Sequence, residues 1–176
     1  MKKVFFYSAV SLLMLACNQE AKKSDDTSAK NDDMKALYEK NLATIKSCIT
    51  AFENKNLTDY ASNVADSMIW NSPMYGDTVT TKAHYMESLK YWTDNWDNLH
   101  LSNAIFLPGL DTATHQLDGS VRYYGRWDGV NKATGMATQV NFYGSYDFNK
   151  DNKVNDGSDY FDVGGLMNAV APKGKK

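Results

Sequence analysis

Three side chains are the first candidates for acid–base chemistry: Asp162 near the end of the chain, His84 in the middle and Tyr123 between them. A carboxylate, an imidazole and a phenol that met in one pocket would supply a base, a proton shuttle and a donor for a developing oxyanion. Asp162 is the carboxylate expected to face the interior, near Tyr123 or His84. The competing reading makes it an acid at a strand end in a structural hydrogen bond, and it is preferred because a lone acid has no defined partner. His84, His100 and His115 lack the spacing of metal ligands and read as three separate histidines, so no metal and no cofactor is expected. Asp147, Asn149 and Asp151 alternate as the oxygen ligands of a calcium loop do. However, Asn152 occupies the glycine position and Ser158 the position of the bidentate Glu, and the flanks alternate as strands. A hairpin turn explains the same Asn and Asp residues. The chain shows no nucleophile motif, phosphate-cradling Gly loop or CxxC pair.

Aromatic residues offer the other chemistry. Trp70, Tyr85, Trp92, Trp96, Tyr123 and Trp127 are read as the lining of a pocket for a flat or apolar small ligand, since rings give large contact with few rotors. The opposing reading, that they fill the core, stays open. Cys48 falls on an apolar helix face and is expected to be a buried, inert thiol.

The elements that must position these residues come in two blocks. Leu37, Leu42, Ile45, Cys48/Ile49 and Phe52 recur at helical intervals and predict a long first helix from Met34. Asn54 and Asn56 suit its end, and Thr58 is expected to cap a short second helix. Met68-Ile69-Trp70 reads as a brief strand. Thr80 or Thr81 caps a third helix carrying Tyr85, Leu89, Trp92 and Trp96 on one face. Strands are then expected at 101–107, 119–127, 136–148 and 158–167. The fold class is α+β: three N-terminal helices packed on a strongly curved, mainly antiparallel sheet.

Residues 1–17 read as an address. Met1-Lys2-Lys3 precedes an apolar run of about 13 residues, too short to span a bilayer but suited to a signal peptide. Leu13-Met14-Leu15-Ala16-Cys17 resembles a bacterial lipobox, in which the thiol of Cys17 is acylated; Met14 departs from the usual Leu, Val or Ile. Residues 18–33 contain no aromatic, Leu, Ile, Val or Met and are expected to form a disordered tether, leaving 34–176 as the folded domain. The net charge of −2 becomes −4 once Lys2 and Lys3 are set aside. Nucleic acid is therefore not an expected partner, because displacing counterions from phosphates needs a basic surface.

Within 35–170, Phe52-Glu53-Asn54-Lys55-Asn56-Leu57, Trp70-Asn71-Ser72-Pro73, the stretch Gly119 to Trp127, and Tyr146-Asp147-Phe148 followed by Tyr160-Phe161-Asp162 resemble the nuclear transport factor 2-like superfamily and its SnoaL-like branch. The resemblance implies a cone-shaped, cystatin-like fold with an open, mostly apolar pocket. It covers enzymes and non-catalytic binding modules alike. In the steroid isomerases of that superfamily the base, the tyrosine and the partner acid fall at positions held here by Ser72, Cys48 and Gly144, none of which supplies that chemistry. The resemblance also implies pairing of two copies through the outer sheet face, where Arg122, Tyr124 and Arg126 alternate with Tyr123 and Trp127. Three functions follow as expectations. The first is a lipoprotein held on the bacterial cell envelope by Cys17, on the periplasmic face or the cell surface, that binds a small apolar or aromatic ligand without catalysis. The second is a SnoaL-like isomerase, cyclase or hydrolase using a pocket Asp, and the third is an interaction subunit with a filled cone. Metabolic labelling with a lipid precursor is expected to mark the wild type and not Cys17→Ser; equal labelling of both would refute the acylation.

Overall fold

The computed structural model describes the backbone of residues 18–172 and the side chains of 31–172, so the signal segment and Cys17 lie outside the described residues. Helix α1 spans Asn18–Glu53. Its inward stripe is Tyr38, Leu42, Ile45, Cys48 and Phe52, the three-to-four spacing that places side chains on one helix face. The helix starts sixteen residues before the expected Met34, and 18–33 continues it where a disordered tether was expected. Alanine, lysine and glutamate in that segment are good helix formers, and helix needs no apolar partner to satisfy its backbone. Among the described residues the first buried side chain is still Tyr38.

Lys55 (φ 57°) turns the chain after α1, and α2 (Leu57–Ser62) is capped by Asn56, which accepts from the Asp59 amide, instead of by Thr58. Strand β1 (Val64–Asn71) follows, then α3 (Lys82–Asn95), capped by Thr81 as expected. Trp96 is the first residue of β2 (Trp96–Leu110), so it leaves the α3 face on which its spacing placed it. Strands β3 (Leu117–Asn131), β4 (Ala137–Phe148) and β5 (Val154–Phe161) complete one five-stranded sheet in the order β1-β5-β4-β3-β2. All neighbours are antiparallel except β1 and β5. The Asn149–Lys153 turn between β4 and β5 is a hairpin turn, with Asn152 at φ 56° and the Asn149 carboxamide accepting from Asp151 and Lys153.

Curvature comes from β2. Its register slips between Asp97 and His100 and between Ser102 and Ile105. Asn98 and Asn103 sit at those slips with φ of 53°, a conformation asparagine tolerates better than most residues. The concave side of the sheet wraps α1. Asn41, almost fully buried, donates to the Gly119 carbonyl at 2.8 Å and accepts from Asn152 at 2.8 Å, fastening the helix to β3 and to the β4–β5 turn. Gly119 has a φ of +80°, and a Cβ there would lie 2.7 Å from Leu37, so only glycine lets the helix this close.

The expected last strand, 158–167, ends at Phe161. Val163–Val170 instead form a short helix, α4, in which Val163, Leu166 and Val170 recur at helical spacing. Asp162 caps it by accepting from the Gly165 amide at 2.7 Å.

Candidate functional site

Strand alternation turns Gly157, Asp159 and Phe161 inward on β5 and Ser158 and Tyr160 outward. Asp159, 8% exposed, is the buried carboxylate of the cone. Its Oδ2 accepts from Trp70 Nε1 at 2.9 Å and its Oδ1 from the Tyr146 hydroxyl at 2.5 Å. Close approach of Tyr146 is possible because Gly144 and Gly157 flank it. A Cβ on Gly144 would lie 2.6 Å from the Tyr146 ring, and one on Gly157 would lie 3.1 Å from it. Tyr146 stacks on Tyr123 with ring centroids 5.9 Å apart, and Tyr85 shares a 2.5 Å hydroxyl contact with Tyr60. Burial pushes the Asp159 carboxyl up to about 6, although the hydrogen bonds from Tyr146 and Trp70 pull it down. Burial, with Asp159 as the next contributor, holds Tyr85, Tyr123 and Tyr146 above the ordinary tyrosine range, so all three stay neutral donors.

This arrangement relocates the interior acid. Asp162 does not face the cone; its carboxylate is spent on the α4 cap, three residues beyond Asp159 and past the end of the strand. His84 lies outside the core, with Nε2 2.7 Å from Asp77 Oδ2 and Nδ1 3.8 Å from Glu87. Tyr123 is 4% exposed and sits among core rings. The three sequence candidates are therefore not brought together as one site. Asp159 was missed because an outward-looking neighbourhood, Ser158-Asp159-Tyr160, masks a single inward carboxylate. The signal available was its two-residue offset from Gly157 and Phe161. Cys48 is buried as expected, and burial raises its thiol to about 12.

The aromatic set divides. Trp70, Tyr85 and Tyr123 fill the core. Trp92, Trp96 and Trp127, with Phe52, Phe142 and Phe161, surround an apolar cavity of about 80 Å³ at the open end of the cone, and Leu166 of α4 reaches it as well. Asp128 and Thr138 are the polar groups at its edge. Asp128 accepts from Ser102 Oγ at 2.6 Å and from Arg126 Nε at 3.0 Å. The Ser102 hydrogen bond, with help from Arg126, holds its carboxyl below the usual carboxylate range, which makes it a poor base. Among the described residues, no three His, Cys, Asp or Glu side chains gather around a point where a metal ion would fit.

The outer sheet face is different in kind. Register places Ile105, Tyr124, Tyr143 and Tyr160 in one row across β2, β3, β4 and β5. Ring centroids within the row are 4.7 and 5.6 Å apart, and Ile105, Tyr124 and Tyr160 are about half exposed.

No family model matches the chain, and no curated protein sequence matches it. Solved structures do. A candidate polyketide cyclase from Xanthomonas campestris superposes with a TM-score of 0.63 at 12% identity, over 77% of this chain and 99% of the other. A candidate isomerase from Bacillus subtilis gives 0.59 at 15% identity, over 78% and 96%. A nuclear transport factor 2-like protein of unknown function from Burkholderia pseudomallei gives 0.58 at 14% identity, over 75% and 98%. The chain thus has the nuclear transport factor 2-like fold, as the resemblance in its sequence implied.

Asp159 makes stability fall as pH rises. Its pKa is higher in the folded chain than in the unfolded chain, so the folded state binds more protons between about pH 4 and 6, and stability is lost across that window. A shift of this size corresponds to a loss on the order of 3 kcal/mol. Urea unfolding of Asp159→Asn is expected to lack this component, so its stability relative to wild type improves from pH 4 to pH 7. Parallel pH profiles for the two proteins would refute an ionisable buried Asp159.

Proposed function

We propose that the chain is a membrane-anchored binding module that receives a small apolar or aromatic group in the Trp92–Trp96–Trp127 cavity and performs no catalysis on it. The observation that carries this reading is the composition of the cavity: six aromatic rings and no carboxylate or imidazole free to act as a base. The Asp159 carboxyl has a suitably raised pKa, but Trp70 and Tyr146 occupy it inside the filled core. At about 80 Å³ the cavity is roughly half the size of one that holds benzene. It therefore suits a small group, or the end of a longer molecule whose remainder lies in the groove between β4 and α4. The lipobox-like ending at Cys17 supports anchoring in the bacterial cell envelope, with α1 rising directly from that position. At 1.5 Å per residue, the segment 18–36 would hold the domain roughly 28 Å from its attachment point.

Ligand entry is expected to quench or shift tryptophan fluorescence, since three of the four tryptophans line the cavity. Titration with the non-fluorescent 1-hexanol, whose alkyl end suits the cavity while its remainder lies in the groove, should saturate in wild type and weaken at least about tenfold in Leu166→Trp, whose ring would fill the space. An unchanged affinity in the folded variant would exclude the cavity. Absence of any binding, with an empty protein purified from its host, would favour the filled-cone reading.

A second copy on the outer sheet face completes the proposal, supported by the Ile105–Tyr124–Tyr143–Tyr160 row, in which Ile105, Tyr124 and Tyr160 are about half exposed. Sedimentation velocity is expected to show a dimer that Tyr143→Lys converts to monomer; a monomeric wild type at micromolar concentration would refute it.

A further inference from the structure

A second depression, of about 540 Å³, opens between the β1–α3 loop and the exposed side of α3, apart from the cavity described above. Rings build it. Trp70 lies at its floor, Tyr91 and Trp92 enter from α3, and Tyr75 stands at the loop tip. Tyr75 is fully exposed, at 106%, and Tyr91 is 42% exposed, so both present ring surface to whatever enters. Gly76, with a φ of +77° that L side chains rarely adopt, forms the turn that holds Tyr75 there.

The charges in the cleft are of one sign apart from a histidine. Asp77 and Glu87 line it, and no lysine or arginine does. The two lysines of α3 are engaged elsewhere: Lys82 bonds Asp66 at 2.8 Å and the Val64 carbonyl at 2.8 Å, and Lys90 bonds Asp94 at 2.6 Å. His84 is held by Asp77, with Nε2 2.7 Å from Oδ2. Glu87 is largely exposed, has no hydrogen-bond partner among the described residues, and stands 3.8 Å from His84 Nδ1. Aromatic faces carry a negative quadrupole, and the nearby Glu87 carboxylate adds to the same potential. An anion would be repelled by this lining, and a neutral apolar molecule would leave the carboxylate without a role.

We propose that this cleft binds an organic cation of the quaternary ammonium class, seated against Tyr75, Tyr91 and Trp92 with Glu87 as its counter-ion. A quaternary ammonium is weakly hydrated and has no N–H to satisfy, so it gains from rings without requiring a buried acceptor. The site is separate from the apolar cavity, and Trp92 is the wall they share.

Calorimetric titration of the full chain with choline, against its uncharged isostere 3,3-dimethylbutan-1-ol, tests this directly. Choline is expected to bind saturably in the millimolar range and the isostere at least about fivefold more weakly. Glu87→Gln and Tyr91→Leu, both at exposed positions, are each expected to weaken choline about threefold or more while circular dichroism stays unchanged. Equal binding of the isostere, no saturation below about 50 mM, or unchanged choline affinity in the folded double variant would each overturn the proposal. Competition by phosphatidylcholine vesicles, compared with phosphatidylglycerol vesicles, then separates a lipid headgroup from a free solute as the source of the ammonium; either source supports the class. Glu87 does not line the apolar cavity, so the Glu87→Gln result is independent of the hexanol titration, whereas Tyr91 also touches Trp92, Trp96 and Met167.

Discussion

A carboxylate taken out of water must find donors, and Asp159 finds two. Trp70 Nε1 from β1 and the Tyr146 hydroxyl from β4 meet on β5, the strand between them, so one side chain ties three adjacent strands together on their inner face. The rest of the interior follows from that meeting. Tyr146 lies across two glycines to reach the acid, Tyr123 stacks on Tyr146, and the neighbouring Tyr85 and Tyr60 satisfy each other's hydroxyls. Each ring is apolar enough to exclude water and carries one polar atom that needs a partner. Packing and hydrogen bonding are thus the same set of contacts.

Such a core leaves little space at the narrow end of the cone. The remaining volume lies at the open end, where Trp92, Trp96 and Trp127 meet Phe142, Phe161 and α4. The acid and the cavity are consequently separated: the group with a raised pKa has no room beside it, and the room has no free acid or base. The binding role proposed above rests on that separation, since the fold itself does not set a function.

Much of the scaffold was legible along the chain. The α1 stripe from Leu42 to Phe52, the Thr81 cap, the alternation of β4 and the Asn149–Lys153 turn all depend on neighbours a few residues apart, and short-range periodicity reports them. Other boundaries were not. The β2 and β3 strands run past Pro108-Gly109 and past Asp128-Gly129, because bulges and cross-strand pairs absorb residues that would otherwise break a strand. Val163 to Val170 shows neither alternation nor length, and only its cap at Asp162 and its seat over the cavity make it a helix.

The sequence by itself determined the class of fold, the grouping of helices before strands and the burial of Cys48, because each is written in residue type and local period. It also carried the lipobox-like ending at Cys17. Tertiary structure alone decided that the interior acid is Asp159 and not Asp162, that Trp70, Tyr85 and Tyr123 pack the core while Trp92, Trp96 and Trp127 border space, and that Tyr75, Tyr91, Asp77 and Glu87 share a cleft. A strand has two faces, and one residue of offset exchanges them. Which face is inward, and how much room remains there, depends on partners from β1, β4 and α3 that are distant in sequence and adjacent only in the folded chain.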